Sequence, residues 1–149
     1  MSVPAERKYY TVESANRSLP LVKGIVSDIV ALYHDIHERK ERLNRIRRLP
    51  GHRPKNSAYS EELEQIEEEL DKDISKLEDF VGELTQIGVE MKDPVKGLVD
   101  FYSKMDGREV YLCWMMGEPE VTHWHELDSG FSGRQSLLEG SFPKSDDKN

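Results

Sequence analysis

Two long stretches of the chain repeat their apolar residues at helical spacing, and a shorter stretch further on alternates as a strand does. Val22, Ile25, Ile29, Leu32, Ile36, Leu43 and Ile46 fall on one helical stripe, widened by Val26 and Tyr33. A short extended segment, Tyr9-Tyr10, leads into it, with Thr11 as the expected N-cap and Glu13 in the first turn. Pro20 lies near the start of the periodic region, where proline is tolerated. The pattern runs to about Arg48, a helix of roughly 40 Å at 1.5 Å per residue. Residues 49–57, with two prolines and a glycine, predict a loop. A second helix is expected from near Ser60, with Glu61 and Glu62 in its first turn. Leu63, Leu70, Leu77 and Leu84 recur every seven residues, with Ile66, Phe80 and Ile87 between them and Ile74 and Val81 widening the face. Gly88 is the expected stop.

Two such helices joined by a loop predict an antiparallel, coiled-coil-like hairpin. Charge supports the pairing. Residues 38–55 hold eight Lys or Arg against two Glu, and residues 61–79 hold ten Asp or Glu against two Lys. Arg39 and Asp73 interrupt the two apolar stripes, which suggests that they meet and set the register. A phosphate or RNA contact is another use for the basic block, but charge matching within the hairpin is the preferred reading. Exposed pairs of this kind contribute only a few tenths of a kcal/mol each, so they direct pairing more than they stabilise it.

From Val89 the period becomes strand-like. Gly97–Ser103 predicts a strand, Asp106-Gly107 a tight hairpin, Arg108–Met115 a second strand and Val121–Leu127 a third. The expected architecture is therefore α+β: a long antiparallel helical hairpin over about 20–87 and a three-stranded antiparallel meander over about 97–127. Both belong to a single domain, 1–138, with a disordered polar tail at 139–149. Three strands are marginal alone, so the meander must pack on the hairpin.

Bulk properties narrow the function classes. With 36% hydrophobic and 34% charged residues in 149, the chain suits long solvated helices. A net charge of −8 argues against general affinity for nucleic acid or an anionic membrane surface. No apolar run approaches the ~20 residues of a membrane span, and the first residues lack a signal-peptide core. The expectation is a cytoplasmic protein. A lone Cys113 excludes an internal disulfide.

Chemistry-bearing residues gather in Glu109–Glu126, which holds the only cysteine, both tryptophans and two of the five histidines. His123 and His125 are two apart and so share one strand face. With a turn centred at Glu118, Cys113 lies opposite His123 and Tyr111 opposite His125. Cys113, His123 and His125 would then be a metal set with a fourth position open. A one-residue change of register sends Cys113 to the other face. No cofactor is expected outright; the one these residues suit is a divalent metal, zinc or iron. An acid–base alternative uses His125 with Glu126 and Asp128. A Cys113–His125 nucleophile pair is disfavoured, because neighbouring carboxylates oppose a thiolate. Trp114 and Trp124 are expected on the core face. Gly130-Phe-Ser-Gly-Arg134 offers amides and Arg134 to an anion, making His125, Glu126 and Arg134 the candidate ligand-binding residues. The plainer expectation is a turn in which Phe131 enters the core and Arg134 pairs with an acid such as Asp128.

Tyr10-Thr-Val-Glu-Ser-Ala-Asn-Arg-Ser-Leu-Pro20, Gly88-Val-Glu-Met-Lys-Asp93, Gly97-Leu-Val-Asp-Phe101 and Gly107-Arg-Glu-Val-Tyr-Leu-Cys-Trp114 carry a resemblance. So do Gly117-Glu118, Trp124-His125 and Gly130-Phe-Ser-Gly-Arg134. Together they resemble the small prokaryotic proteins grouped as domain of unknown function 2203, over about residues 8–136. The family pattern carries an aromatic where this chain has His123, which leaves His125 the firmer candidate of the two. The resemblance brings no activity and no functional residue with it. The leading functional expectation is a non-enzymatic interaction module, a homodimer that self-associates through its hairpin. The rival is a metal- or small-ligand-binding enzyme with its site around His125.

Overall fold

A computed structural model describes residues 8–48 and 58–137. The expected loop at 49–57 and tail at 139–149 lie outside the described residues. Two helices, α1 (Val12–Arg48) and α2 (Ala58–Gln86), precede five strands. These are β1 (Val89–Asp93), β2 (Leu98–Met105), β3 (Arg108–Met115), β4 (His123–Glu126) and β5 (Gln135–Ser136), with a 3-10 turn at Phe131–Gly133 before the last.

Helix α1 starts at a reciprocal cap. The Ser14 amide donates to Thr11 Oγ1 at 3.0 Å, and the Thr11 amide donates to Ser14 Oγ at 2.9 Å. Pro20 therefore sits inside the helix rather than at its start. It is tolerated because the turns around it bury Ala15, Leu19, Val22 and Val26 against the sheet. Helix α2 ends where Gly88 turns at φ 86°, its amide bonded to the Thr85 carbonyl at 3.0 Å.

The hairpin pairs as the charge pattern suggests. Arg39 reaches Asp73 at 2.5 Å and Asp35 at 2.9 Å, and Arg47 pairs with Glu67. Its distal half is held by Ile36, Leu43, Leu63 and Leu70.

The sheet is antiparallel with the order β1-β2-β3-β4-β5. It has five strands, not three. β1 lies outside the expected meander because a five-residue segment with three charged side chains next to a helix stop gives little periodic signal. β5 is two residues long, too short for any pattern. One face carries Val89, Val99, Phe101, Val110, Leu112, Trp114 and Trp124, buried against α1 and Leu84. Each large side chain so buried contributes about 1.5–3 kcal/mol. Tyr10 ties the chain ahead of α1 to the sheet. Its amide bonds the Tyr102 carbonyl at 2.8 Å, its carbonyl accepts from Ser103 Oγ at 2.6 Å, and its hydroxyl donates to the Ile87 carbonyl at 2.6 Å. Among the described residues no helix is long and apolar enough to cross a membrane.

Candidate metal centre

Alternation assigns the second sheet face. Asp100 pairs with Cys113 and Cys113 with His123 in one cross-strand row; Tyr102, Tyr111 and His125 form the next. This face would ordinarily be wet, yet Asp100 and His125 are 2% exposed and Cys113 is fully buried. The ligand atoms of Asp100, Cys113 and His125 all lie within 4.8 Å of one another.

Their orientation is set from outside the cluster. His125 Nδ1 lies 2.7 Å from the Glu126 carbonyl oxygen. A carbonyl only accepts, so Nδ1 carries the proton and Nε2 is turned toward Asp100 Oδ1, 3.0 Å away. The Tyr111 ring stands 5.4 Å from the imidazole at a tilt of 50°. The Cys113 thiol lies beside Asp100 and under the influence of the Arg134 guanidinium. Arg134 is itself anchored at 2.8 Å to Glu118 Oε1. Glu118 is held by the β3–β4 turn: Oε1 accepts from the Met115 amide at 2.9 Å, and its carbonyl accepts from Trp114 Nε1 at 2.9 Å.

Burial dominates the electrostatics. It pushes the Cys113 thiol up to about 12, assisted by the nearby Asp100 carboxylate and only partly opposed by Arg134. It also raises Asp100 above the usual carboxylate range, with His125 and Lys92 pulling the other way. Glu118 goes the opposite way. Its partial burial would raise it, but the Arg134 hydrogen bond, the Met115 amide and the Arg134 charge together hold it below that range. Without a metal, then, the thiol is protonated at neutral pH and unsuited to nucleophilic catalysis.

The structure brings Cys113 and His125 together and adds Asp100, which the sequence analysis did not single out. His123 stands opposite Cys113 in register, half-buried, with Nδ1 at 3.0 Å from Thr122 Oγ1. The Glu126 carboxylate points away and pairs with Arg108 at 2.6 Å; only its backbone carbonyl serves the cluster. Arg134 takes Glu118 rather than Asp128 as its partner, because the turn after β3 delivers Glu118 beside it. Phe131 is 40% exposed, not in the core, and lies under Lys96 and Arg134.

The chain matches the family described as Uncharacterized conserved protein (DUF2203) over residues 8–137. It belongs to this family. That span takes in α1, α2, all five strands and every residue of the cluster. No curated protein and no solved structure matches it.

Three donors of these types fit a transition ion. Zinc accepts thiolate, imidazole and carboxylate at about 2.0–2.3 Å, so that tetrahedral ligands stand roughly 3.3–3.8 Å apart. The Asp100–His125 pair would spread slightly from 3.0 Å, and the Cys113 sulfur, within 4.8 Å of both, would close onto the ion. A thiolate in the set disfavours magnesium and calcium. Glu126 and Arg134 supply the outer hydrogen bonds that such ligands require.

Proposed function

We propose that this protein binds a divalent transition metal, zinc or iron, through Asp100 Oδ1, Cys113 Sγ and His125 Nε2. The observation that carries this reading is the facing of two acceptors in a dry interior. His125 Nε2 and Asp100 Oδ1 both present lone pairs across 3.0 Å. Two acceptors in contact need a cation between them, either a proton or a metal, and the adjacent thiol makes a metal the chemically richer occupant. Bound there, the ion would link β2, β3 and β4 at one point. The experiment is elemental analysis of untagged protein, followed by competition for Zn2+ against a chromophoric chelator. Near-stoichiometric metal in the wild type, lost in His125→Ala and Asp100→Asn while the circular dichroism is kept, supports the reading. No binding by folded wild-type protein overturns it.

A second reading concerns the hairpin, as a module of self-association. Ile66, Ile74, Leu77, Phe80 and Val81 of α2 are only partly covered. A groove of about 350 Å3 between the helices is lined by Lys40, Leu43 and Arg47 of α1 and by Glu67, Leu70, Asp71 and Ile74 of α2. A second copy related by a two-fold axis would lay the same groove on itself, with Lys40 able to meet Asp71 of the other copy while Arg47 and Glu67 stay paired within each. Sedimentation that finds only monomer at tens of micromolar would sink this reading.

A further inference from the structure

Building on the metal reading, we infer that His123 is the fourth ligand, so that the centre is closed and holds its ion structurally rather than for catalysis. Three donors are one short of the tetrahedral set that closed zinc sites use. The donors present are buried, which leaves little room for the exchangeable water of a catalytic site. The missing donor has to come from the same sheet face, within one residue's reach of the three.

His123 meets that condition. It is the direct cross-strand partner of Cys113, on the face that also carries Asp100 and His125. Directly opposed residues in an antiparallel pair place their Cβ atoms about 4.5–5.5 Å apart, within reach of an imidazole turning on χ1. Among the described residues the ring is held by a contact at 3.0 Å to the neighbouring Thr122 hydroxyl and by the nearby Glu118 charge. His123 is half-buried, at the rim of the cluster rather than inside it. It can therefore close over an ion that has entered, without a preformed cavity. Glu118, which holds the Arg134 side chain, is committed twice, to Arg134 and to the Met115 amide. Moving it would strand a buried guanidinium.

Co2+ titration of wild type, His123→Ala, His123→Gln and Glu118→Gln tests this, with circular dichroism confirming that each is folded. Wild type should give the intense visible bands of four-coordinate Co2+ with a thiolate charge-transfer band. Both His123 variants should keep the thiolate band and shift the visible bands, because water replaces the imidazole in the vacated position. Their Co2+ affinity should fall at least about tenfold, the least that loss of a supporting partner costs such a site. They should also admit added azide to the ion, which wild type should not. Glu118→Gln should keep the wild-type band positions and exclude azide, even where loss of its pairing with Arg134 weakens binding. If wild type binds Co2+ and the His123 variants match it in affinity and spectrum, the inference fails and the three-ligand reading stands. The inference also fails if Glu118→Gln, and not the His123 variants, shifts the bands and opens the ion to azide. If folded wild type takes up no Co2+ or Zn2+, the metal reading itself fails.

Discussion

His125 Nε2 and Asp100 Oδ1 stand 3.0 Å apart with both side chains 3% exposed, and neither can donate to the other unless the pair holds an extra proton. Nδ1 of the ring is already spent on the Glu126 carbonyl. The metal-free pair therefore keeps one proton, and the Cys113 thiol, pushed up to about 12, keeps another. An ion taken up by all three ligands must expel both. Calorimetry of Zn2+ binding in buffers of different ionisation enthalpy should register release of about two protons per ion near neutral pH, with affinity falling steeply as pH drops. Uptake with no proton release would mean that the ion sits elsewhere.

The same burial makes Cys113 inert when no metal is present. A fully buried thiol with its pKa raised to about 12 has almost no thiolate at pH 8. Reaction with a disulfide reagent should be undetectable in the native protein over minutes and rapid in urea. Fast native labelling would contradict both the burial and the direction of the shift.

Much of this was legible in the chain. The Arg39–Asp73 contact followed from two charges that break two apolar stripes, and the Cys113–His123 register from a turn centred on Glu118. The placement of Trp114 and Trp124 on the core face followed from that register. Asp100 was the signal overlooked. An Asp106-Gly107 turn pairs Met105 with Arg108, and five steps along each strand brings Asp100 to Cys113. An acid between Val99 and Phe101 reads as solvent-facing on a two-sided sheet, and here the outer face is covered too. What the sequence could not supply was that cover. Arg134 arrives from a turn sixteen residues beyond Glu118, and no local pattern announces that pairing.

Gly97 is the point where the β1–β2 turn meets α1. Its φ is +73°, and a Cβ there would lie 2.7 Å from Met116 Cβ, 3.2 Å from Val26 Cγ1 and 3.3 Å from Val30 Cγ2. Its carbonyl accepts from the Met116 amide at 2.9 Å, so the backbone is not free to retreat. Gly97→Ala should cost about 2–4 kcal/mol, from left-handed strain plus overpacking. Chemical denaturation measures it directly. A loss below about 0.5 kcal/mol, the usual range for surface substitutions, would show that the turn and helix part easily.

Glu118 gives a pH dependence with a definite sign. Its folded carboxyl titrates below the ordinary carboxylate range, because Arg134 and the Met115 amide favour the ionised form more than burial opposes it. A depressed folded value means that the unfolded chain binds the proton more readily. The ionised group therefore contributes stability above the ordinary carboxylate range, and that contribution is lost as pH falls through it toward the folded value. At neutral pH, Glu118→Gln should cost about 1–2 kcal/mol, the scale of a hydrogen bond to a charged partner. The gap between wild type and variant, followed by urea midpoints from neutral to acid pH, should close below the ordinary carboxylate range. A gap that stays constant with pH would mean that Glu118 holds the turn by shape rather than by its charge on Arg134.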